Sequence, residues 1–235
     1  FPDAMKSGGF DCIIGNPPYV RQETLGAGFK DYASRNYVTY HGIADLYVYF
    51  MERGMSLLRS GGHFSYIIAN KWMRANYGEP LRKWLKTQDI QEIVDFGDLP
   101  VFKRATTYPC IVRIGKGEKG GKVNIAHVKT LNFADLREHI LPTQFQISGQ
   151  SLDDKGWSLA NDGTRVLLEK IRGAGIPLGD YVNGRIYRGV LTGLNEAFVI
   201  DGETRARLIR EDASSAGIIK PFLAGRDVKR YQPPQ

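Results

Sequence analysis

A short apolar run that ends in two prolines constrains the fold of this chain more than any other feature. The run FDCIIG at residues 10–15 is bounded by glycines and contains consecutive isoleucines, a pattern typical of a buried strand. Pro17 and Pro18 cannot donate ladder hydrogen bonds, so the strand must end before them. Asn16 and Tyr19 are therefore predicted to lie at the carboxyl edge of a sheet, where open α/β sheets bind their ligands.

The stretch that follows alternates between helical and strand-like patterns. Helices are predicted at residues 45–59, with Gly61 and Gly62 as the stop, and at residues 80–86, since apolar side chains recur there at helical spacing. Strands are predicted at residues 64–69, 90–96, 105–114 and 122–128. The last two are joined by a glycine-rich loop that we interpret as a solvated hairpin turn, because it precedes a strand and not a helix.

Composition restricts the classes of protein to which the chain can belong. Its 235 residues carry a formal net charge of +7, which suits a polyanionic partner, although many basic proteins bind no nucleic acid. Cys12 and Cys110 both lie in apolar runs, so packed thiols in a reducing compartment are expected rather than a disulfide. The four histidines show no metal-ligand spacing, and no apolar run is long enough for a membrane span; we expect no metal, no membrane and a cytoplasmic protein.

The run FDCIIGNPPY resembles the catalytic strand and loop of amino-methyltransferases that use S-adenosylmethionine, especially DNA adenine-N6 methyltransferases. The resemblance implies that the side chain of Asn16 and the carbonyl of Pro17 accept hydrogen bonds from the target amine, and that Asn16 also borders the cofactor. Tyr19 would then stack on a base flipped out of the duplex. The alternative is a simple turn after a strand, because Asn-Pro is a common turn dipeptide.

Two further segments resemble the same family in the same order. In ADLYVYFMERGMSLLRSGG, residues 44–62, the resemblance places Phe50 in the pocket for the cofactor's adenine; plain core packing is the alternative. In DLPVFKRATTYPCIVRI, residues 98–114, it places Phe102 against the second face of the flipped base. Tyr108 is a rival for that role, and a buried strand-end position is the other interpretation of Phe102.

The pattern changes after about residue 149. A helix is predicted at residues 162–172, with an apolar stripe of Val166, Leu167 and Ile171, and strand-like runs follow at residues 178–182, 186–190 and 195–201. The last third resembles the start of the TaqI-like specificity domain of Eco57I- and TaqI-type, or type IIG, restriction-modification enzymes. The resemblance implies DNA-binding roles for basic residues of this segment, namely Arg188, Lys220, Arg226, Lys229 and Arg230, with Arg185 beside them; an ordinary solvated surface is the alternative.

The resemblance implies two domains and an α/β fold. Residues 1–149 would form the C-terminal part of a Rossmann-like methyltransferase domain, a mixed sheet with a terminal β-hairpin. Residues 150–235 would begin a small α+β target-recognition domain. No glycine-rich nucleotide turn precedes Asn16, so we expect a piece that lacks the first S-adenosylmethionine-binding half and is inactive alone, with a nuclease fused or associated in the parent protein.

Three functions are consistent with these residues. The first is methyl transfer to adenine N6 at a specific DNA sequence, in a restriction-modification or phage-defence protein. The second is methylation of another amino group, namely cytosine N4, an RNA base or a protein glutamine. The third is a non-catalytic DNA-binding or scaffold role for the chain by itself.

Overall fold

The computed structural model describes residues 1–102, 107–154, 156–187, 193–194, 197–223, 225–227, 229–230 and 232. They form two compact units, Phe1–Ala174 and Gly175–Gln235. The strands are β1 Phe10–Gly15, β2 Leu58–Ala69, β3 Asp89–Asp95, β4 Pro109–Gly115, β5 Lys122–His127 and β6 Phe145–Ser148. The helices are α1 Pro2–Lys6, α2 Gly26–Asn36, α3 Tyr47–Leu57, α4 Glu79–Leu85, α5 Leu136–Ile140, α6 Asp162–Ala174, α7 Leu178–Tyr181, α8 Gly202–Glu211 and α9 Ser215–Ile218.

All six strands belong to one mixed sheet with the order β1-β2-β4-β3-β5-β6. Strand β1 is parallel to β2 and β3 is parallel to β5. Strand β4 is antiparallel to both of its neighbours, and β6 is antiparallel to β5. The α/β class and the mixed sheet are therefore confirmed, and the carboxyl ends of β1, β2, β3 and β5 share one edge.

The predicted hairpin between the fourth and fifth strands is wrong. Strand β3 lies between β4 and β5 and pairs with both of them. The glycine-rich loop therefore crosses the end of β3, where the Gly120 amide donates to Oδ1 of Asp89 at 2.8 Å. Residues 103–106, which include the start of the predicted strand 105–114, lie outside the described part of the chain.

Helix α3 fixes β2 to the core of the first unit. Tyr47 and Met51 are fully buried on its inner face. Gly54 is needed where the helix meets the sheet, since a Cβ there would lie 2.6 Å from the Phe64 ring. The helix ends at Leu57 and β2 begins at once, so Gly61 and Gly62 lie inside the strand and are not the helix stop that the sequence predicted.

Strand β1 occupies the edge of the sheet and is not the buried strand that its sequence predicted. Ile14 is 80% exposed, and Cys12 is exposed although a packed thiol was expected. Cys110, in the interior strand β4, is buried as predicted. The difference arises because β1 pairs with β2 alone among the described strands, so its second edge lacks a neighbour there.

The first compact unit extends beyond the predicted boundary at residue 149. Trp157 is 2% exposed and packs edge-to-face on Trp72, with ring centroids 5.0 Å apart. Leu152 and Leu159 belong to the same buried core. The division between units falls after Ala174.

The regular elements described from residue 162 onwards are helices. Helix α6 confirms the helix predicted from residue 162, but its stripe of Val166, Leu167 and Ile171 is exposed. The strand predicted at 178–182 is wrong, since Leu178–Tyr181 forms the short helix α7. Helices α8 and α9 follow, and none of the described residues from 162 onwards is buried.

Candidate active site

The loop at residues 16–19 leaves the carboxyl end of β1 as the sequence predicts. Asn16 is exposed, Pro17 is buried and Tyr19 is half-buried. The Tyr19 hydroxyl donates to the carbonyl of Ile67 at 3.0 Å, which ties the loop to the neighbouring strand β2. Burial raises the pKa of Tyr19 to about 12, so its phenol stays neutral at physiological pH.

A buried glutamine anchors the chain just after this loop. Gln22 is fully buried, its amide nitrogen donates to the carbonyl of His41, and its Oε1 accepts from the Tyr49 hydroxyl at 2.8 Å. The Leu46 amide donates to the carbonyl of Val20 at 2.8 Å beside it. The loop is thus held from both sides, by β2 before this point and by the start of α3 after it.

The structure brings the two predicted stacking rings together. The ring centroids of Tyr19 and Phe102 lie 6.2 Å apart with an interplanar angle of 64°. Tyr47 supports Tyr19 from the core, with centroids 6.0 Å apart. The contact between Tyr19 and Phe102 is edge-to-face, so the rings are adjacent but not parallel. Tyr108, the rival for the second ring, is 52% exposed.

A cleft of about 990 Å³ opens beside Tyr19. It lies where β2 and β3 end and β4 begins. Its walls contain aromatic rings, three cations and three carboxylates, and they comprise Tyr19, Arg21, Asp45, Ala69, Asn70, Lys71, Met73, Arg74, Ala75, Tyr77, Asp95, Gly97, Asp98, Thr107 and Tyr108. A cleft at the carboxyl edge of the sheet is the expected position for a ligand in an α/β protein.

One polar network in this cleft was not predicted from the sequence. Nδ2 of Asn70 donates to Oδ1 of Asp95 at 2.9 Å and to the carbonyl of Gly97 at 3.3 Å. His127 follows, with Nδ1 3.9 Å from Oδ2 of Asp95 and Nε2 2.8 Å from the carbonyl of Leu159. The sequence could have indicated this network only through position. Asn70, Asp95 and His127 each lie at or just after the carboxyl end of a strand.

Asp45 is the cleft carboxylate with a perturbed pKa. It pairs through its backbone with Arg21. Burial raises the pKa of Asp45, while the positive charges of Arg21 and Lys71 act in the opposite direction. The effect of burial is the larger one, so the charged carboxylate of Asp45 is partly desolvated although two cations lie near it.

Phe50 is not part of the buried core. It lies on α3, which packs against the sheet, yet it is 42% exposed. Tyr49 and Met51 on either side are buried. An exposed aromatic ring on this helix is compatible with the predicted contact to a planar ligand, and the alternative of plain core packing does not fit its exposure.

The basic residues predicted to bind DNA belong mainly to the second unit. Lys220, Lys229 and Arg230 are exposed there. Arg188 lies outside the described residues, and only the backbone of Arg226 is described. Arg185 is also exposed. Their contact with DNA stays a prediction.

Among the residues that the structure describes, no group of three or more histidine, cysteine, aspartate or glutamate side chains is arranged to hold a metal ion. None of the described helices is both long and apolar enough to cross a membrane.

Comparisons with known proteins show the family of this chain. Residues 1–102 match the family model of the Eco57I restriction-modification methylase. The chain is 33% identical over 215 residues to the type II methyltransferase M.PaeR7I of Pseudomonas aeruginosa, with 86% of this chain and 37% of that protein covered. It is 29% identical over 199 residues to the type II restriction enzyme and methyltransferase RM.Eco57I of Escherichia coli, with 81% of this chain and 19% of that protein covered.

The chain therefore belongs to the Eco57I family of type II restriction-modification methylases. The resemblance in the sequence is thus confirmed at the level of the family. The chain spans about two fifths of M.PaeR7I and a fifth of RM.Eco57I. Among solved structures, the type IIG restriction endonuclease BpuSI superposes with a TM-score of 0.47 and 16% identity, over 72% of this chain and 23% of that chain.

Proposed function

We propose that this chain carries the catalytic loop of an enzyme that transfers a methyl group from S-adenosylmethionine to N6 of adenine in DNA. The supporting observation is the position of residues 16–19 in a member of the Eco57I family. They follow the carboxyl end of β1, and Tyr19 borders a cleft whose walls carry aromatic rings, cations and carboxylates. Such a cleft suits a nucleotide taken out of the base stack.

Asn16 and Pro17 are proposed to activate the target amine. The lone pair of an exocyclic amine is delocalised into the base, so the nitrogen is a weak nucleophile. Two acceptors, Oδ1 of Asn16 and the carbonyl of Pro17, would hold its two N–H bonds and favour a tetrahedral nitrogen. Pro17 is buried, and its ring restricts φ, so the chain supplies these acceptors in a preorganised position.

Tyr19 and Phe102 are proposed to hold the flipped base. The Tyr19 hydroxyl is already bonded to the carbonyl of Ile67, so the position of the ring is fixed before a base binds. Stacking contributes about 1–3 kcal/mol per base, which is comparable with the few kcal/mol that flipping costs. Both rings are therefore needed to make the extrahelical position favourable.

Asn16 and Phe50 are proposed to contact the cofactor. Both side chains are exposed although their elements pack together in the first unit, which leaves a polar group and an aromatic ring open to a ligand with a planar adenine. S-adenosylmethionine supplies a methyl group activated by its sulfonium. This chain would orient the acceptor amine and shield it from water.

The remaining parts of the proposal concern partners. Double-stranded DNA is the expected substrate, and residues 150–235 would begin the target-recognition domain, with Lys220, Lys229 and Arg230 as phosphate contacts. RM.Eco57I is named as both a restriction enzyme and a methyltransferase, which supports a nuclease fused to or associated with this protein. By itself the chain is expected to be inactive.

Nucleoside analysis tests the proposal. Full-length protein is incubated with duplex DNA and S-adenosylmethionine labelled in the methyl group, and the DNA is digested to nucleosides. Label in N6-methyl-2′-deoxyadenosine supports the proposal. Label in N4-methylcytosine would retain the acceptor mechanism and overturn the base assignment, whereas label only in RNA or protein would overturn DNA as the substrate.

A further inference from the structure

The turn that follows β2 presents two cations to the cleft. Residues Asn70–Met73 form a single helical turn, and its side chains separate into two sets. Trp72 and Met73 are buried, with exposed fractions of 0% and 4%. Lys71 and Arg74 are exposed and line the cleft beside Tyr19. The buried pair fixes the turn, so the positive charges have a defined place.

The backbone of this turn is unusually well held for a loop. The amides of Arg74 and Ala75 both donate to the carbonyl of Lys71, at 3.1 and 2.9 Å. The guanidinium of Arg82, which is 1% exposed, donates to the carbonyls of Trp72 and Ala75. A ligand bound by this turn therefore requires ordering of the two basic side chains but not of the backbone.

A second support comes from the connecting segment. The Trp157 amide donates to the carbonyl of Met73 at 2.8 Å, and the Trp157 ring packs on Trp72. Gly78 lies so close that a Cβ there would be 2.0 Å from the Trp72 carbonyl oxygen. The turn is thus enclosed on its buried side by three elements of the first unit.

The carboxylates of the cleft leave these two cations available. Asp95 accepts from Nδ2 of Asn70 at 2.9 Å and from the Gly97 amide at 3.1 Å. The positive charges of Arg21 and Lys71 both act on the carboxylate of Asp45. Asp98 is exposed to solvent. Within the described residues, neither Lys71 nor Arg74 has a carboxylate within 4.0 Å.

We infer that Lys71 and Arg74 bind backbone phosphates of the DNA strand that carries the target base. The inference rests on the proposed function, because it takes the cleft beside Tyr19 as the position of the flipped nucleotide. Phosphates flank every nucleotide, and a cation pair at the edge of the pocket would hold them while the base enters. Contacts of this kind fix register and carry no sequence information.

The salt dependence of DNA binding tests this inference. Each phosphate neutralised by a side chain contributes about −0.9 to the slope of log K against log salt concentration. Affinity of the full-length protein is measured over a salt series for a fluorescein-labelled duplex that contains a mismatched adenine, because a mispaired base leaves the stack more easily and can occupy the cleft. Lys71→Gln and Arg74→Gln should each make the slope shallower by about one, and the double variant by about two.

Lys122→Gln is the matched control. Lys122 is the first residue of β5, which is parallel to β3, so it lies at the edge of the sheet opposite the cleft and its loss should leave the slope unchanged. Unchanged slopes for Lys71→Gln and Arg74→Gln, or an equal change for Lys122→Gln, would overturn the inference. Lys71→Arg should retain the slope, since the charge is kept.

The outcome separates this inference from the proposed function. The slope depends only on DNA binding, so it is measured without S-adenosylmethionine. If the wild-type protein transfers no methyl group, but Lys71→Gln and Arg74→Gln each make the salt slope shallower, the proposed function alone is contradicted. A protein that methylates adenine, with slopes unaffected by the two substitutions, would contradict the inference alone.

Discussion

The sheet region, residues 10–159, and the helical region, residues 162–232, differ most clearly in what they bury. The large core cluster extends from Ala33 to Leu159 and includes five of the six strands, with Phe10 and Ile13 of β1 packed on its side. The described residues of the helical region contain no buried side chain. Apolar residues such as Val166 and Ile218 are 63% and 81% exposed there.

This contrast explains where the candidate site lies. A catalytic loop must hold its groups within a fraction of an ångström, and rigid elements with a packed core provide that precision. The loop at 16–19 and the turn at Asn70–Met73 both project from the sheet region and are fixed by buried neighbours, Gln22 and Trp72. The helical region offers exposed charge instead, which is sufficient for contacts to phosphates.

Truncation of Trp157 is expected to give the largest difference in stability between the two regions. Trp157→Ala should lower the free energy of unfolding by about 3–5 kcal/mol, because a buried aromatic ring is lost and Trp72 loses its partner. Ile218→Ala in the helical region should change it by less than about 0.5 kcal/mol. Chemical denaturation of both variants measures the difference. Equal effects would show that the two regions do not differ in packing.

The same comparison locates the boundary of the folded core. Residue 157 falls within the segment predicted to begin the recognition domain, yet it packs on Trp72 in the turn after β2. If the Trp157→Ala protein unfolds in one transition, the segment up to Leu159 unfolds together with the sheet and belongs to the first unit. A separate early transition would place it outside.

Phe102 gives the next largest effect. Phe102→Ala should weaken binding of a methylatable duplex by about 5- to 150-fold, the equivalent of about 1–3 kcal/mol of lost base stacking. Affinity for S-adenosylmethionine, measured by calorimetry, should change less than twofold. Tyr108→Ala is the paired variant, since Tyr108 is an exposed ring in the wall of the cleft beside Tyr19. A larger loss with Tyr108→Ala would transfer the stacking role to Tyr108.

Asp45 gives the smallest effect, which depends on pH. Burial raises the pKa of Asp45 in the folded protein. Above that pKa the charged carboxylate therefore lowers the stability of the folded protein. This loss of stability disappears at low pH, where the carboxyl group is protonated in both the folded and the unfolded protein. Asp45→Asn should therefore raise the melting temperature slightly at pH 7, and the difference should vanish as the pH falls below about 4. A variant that is less stable at pH 7 would mean that attraction from Arg21 and Lys71 dominates.

Local patterns in the sequence predicted much of the sheet region. The strand at Phe10–Gly15, the loop after it and helix α3 all follow from patterns within a few residues. The order of strands did not follow, because β3 pairs with both β4 and β5 and such pairing depends on distant segments. The exposure of Cys12 and Ile14 was missed for the same reason, since a short apolar run does not reveal whether its strand lies at an edge.

The helical region was predicted less well. The short run at Leu178–Tyr181, predicted as a strand, forms a helical turn, since such a short segment has little local preference. In the cleft, Asn70 and Asp95 meet only because β2 and β3 end at the same edge of the sheet. Side-chain partners of this kind depend on topology, which the sequence did not provide.

Single-turnover methyl transfer by an Asn16→Ala variant tests the central claim most directly. Rates with wild-type protein, Asn16→Ala and the control Asn132→Ala, an exposed asparagine remote in sequence from the loop, are compared with labelled S-adenosylmethionine, and DNA affinity is measured alongside. We expect Asn16→Ala to lower the rate by about 10²–10³-fold, with DNA affinity within twofold and Asn132→Ala unaffected. A rate that survives in Asn16→Ala would contradict the acceptor role of Asn16.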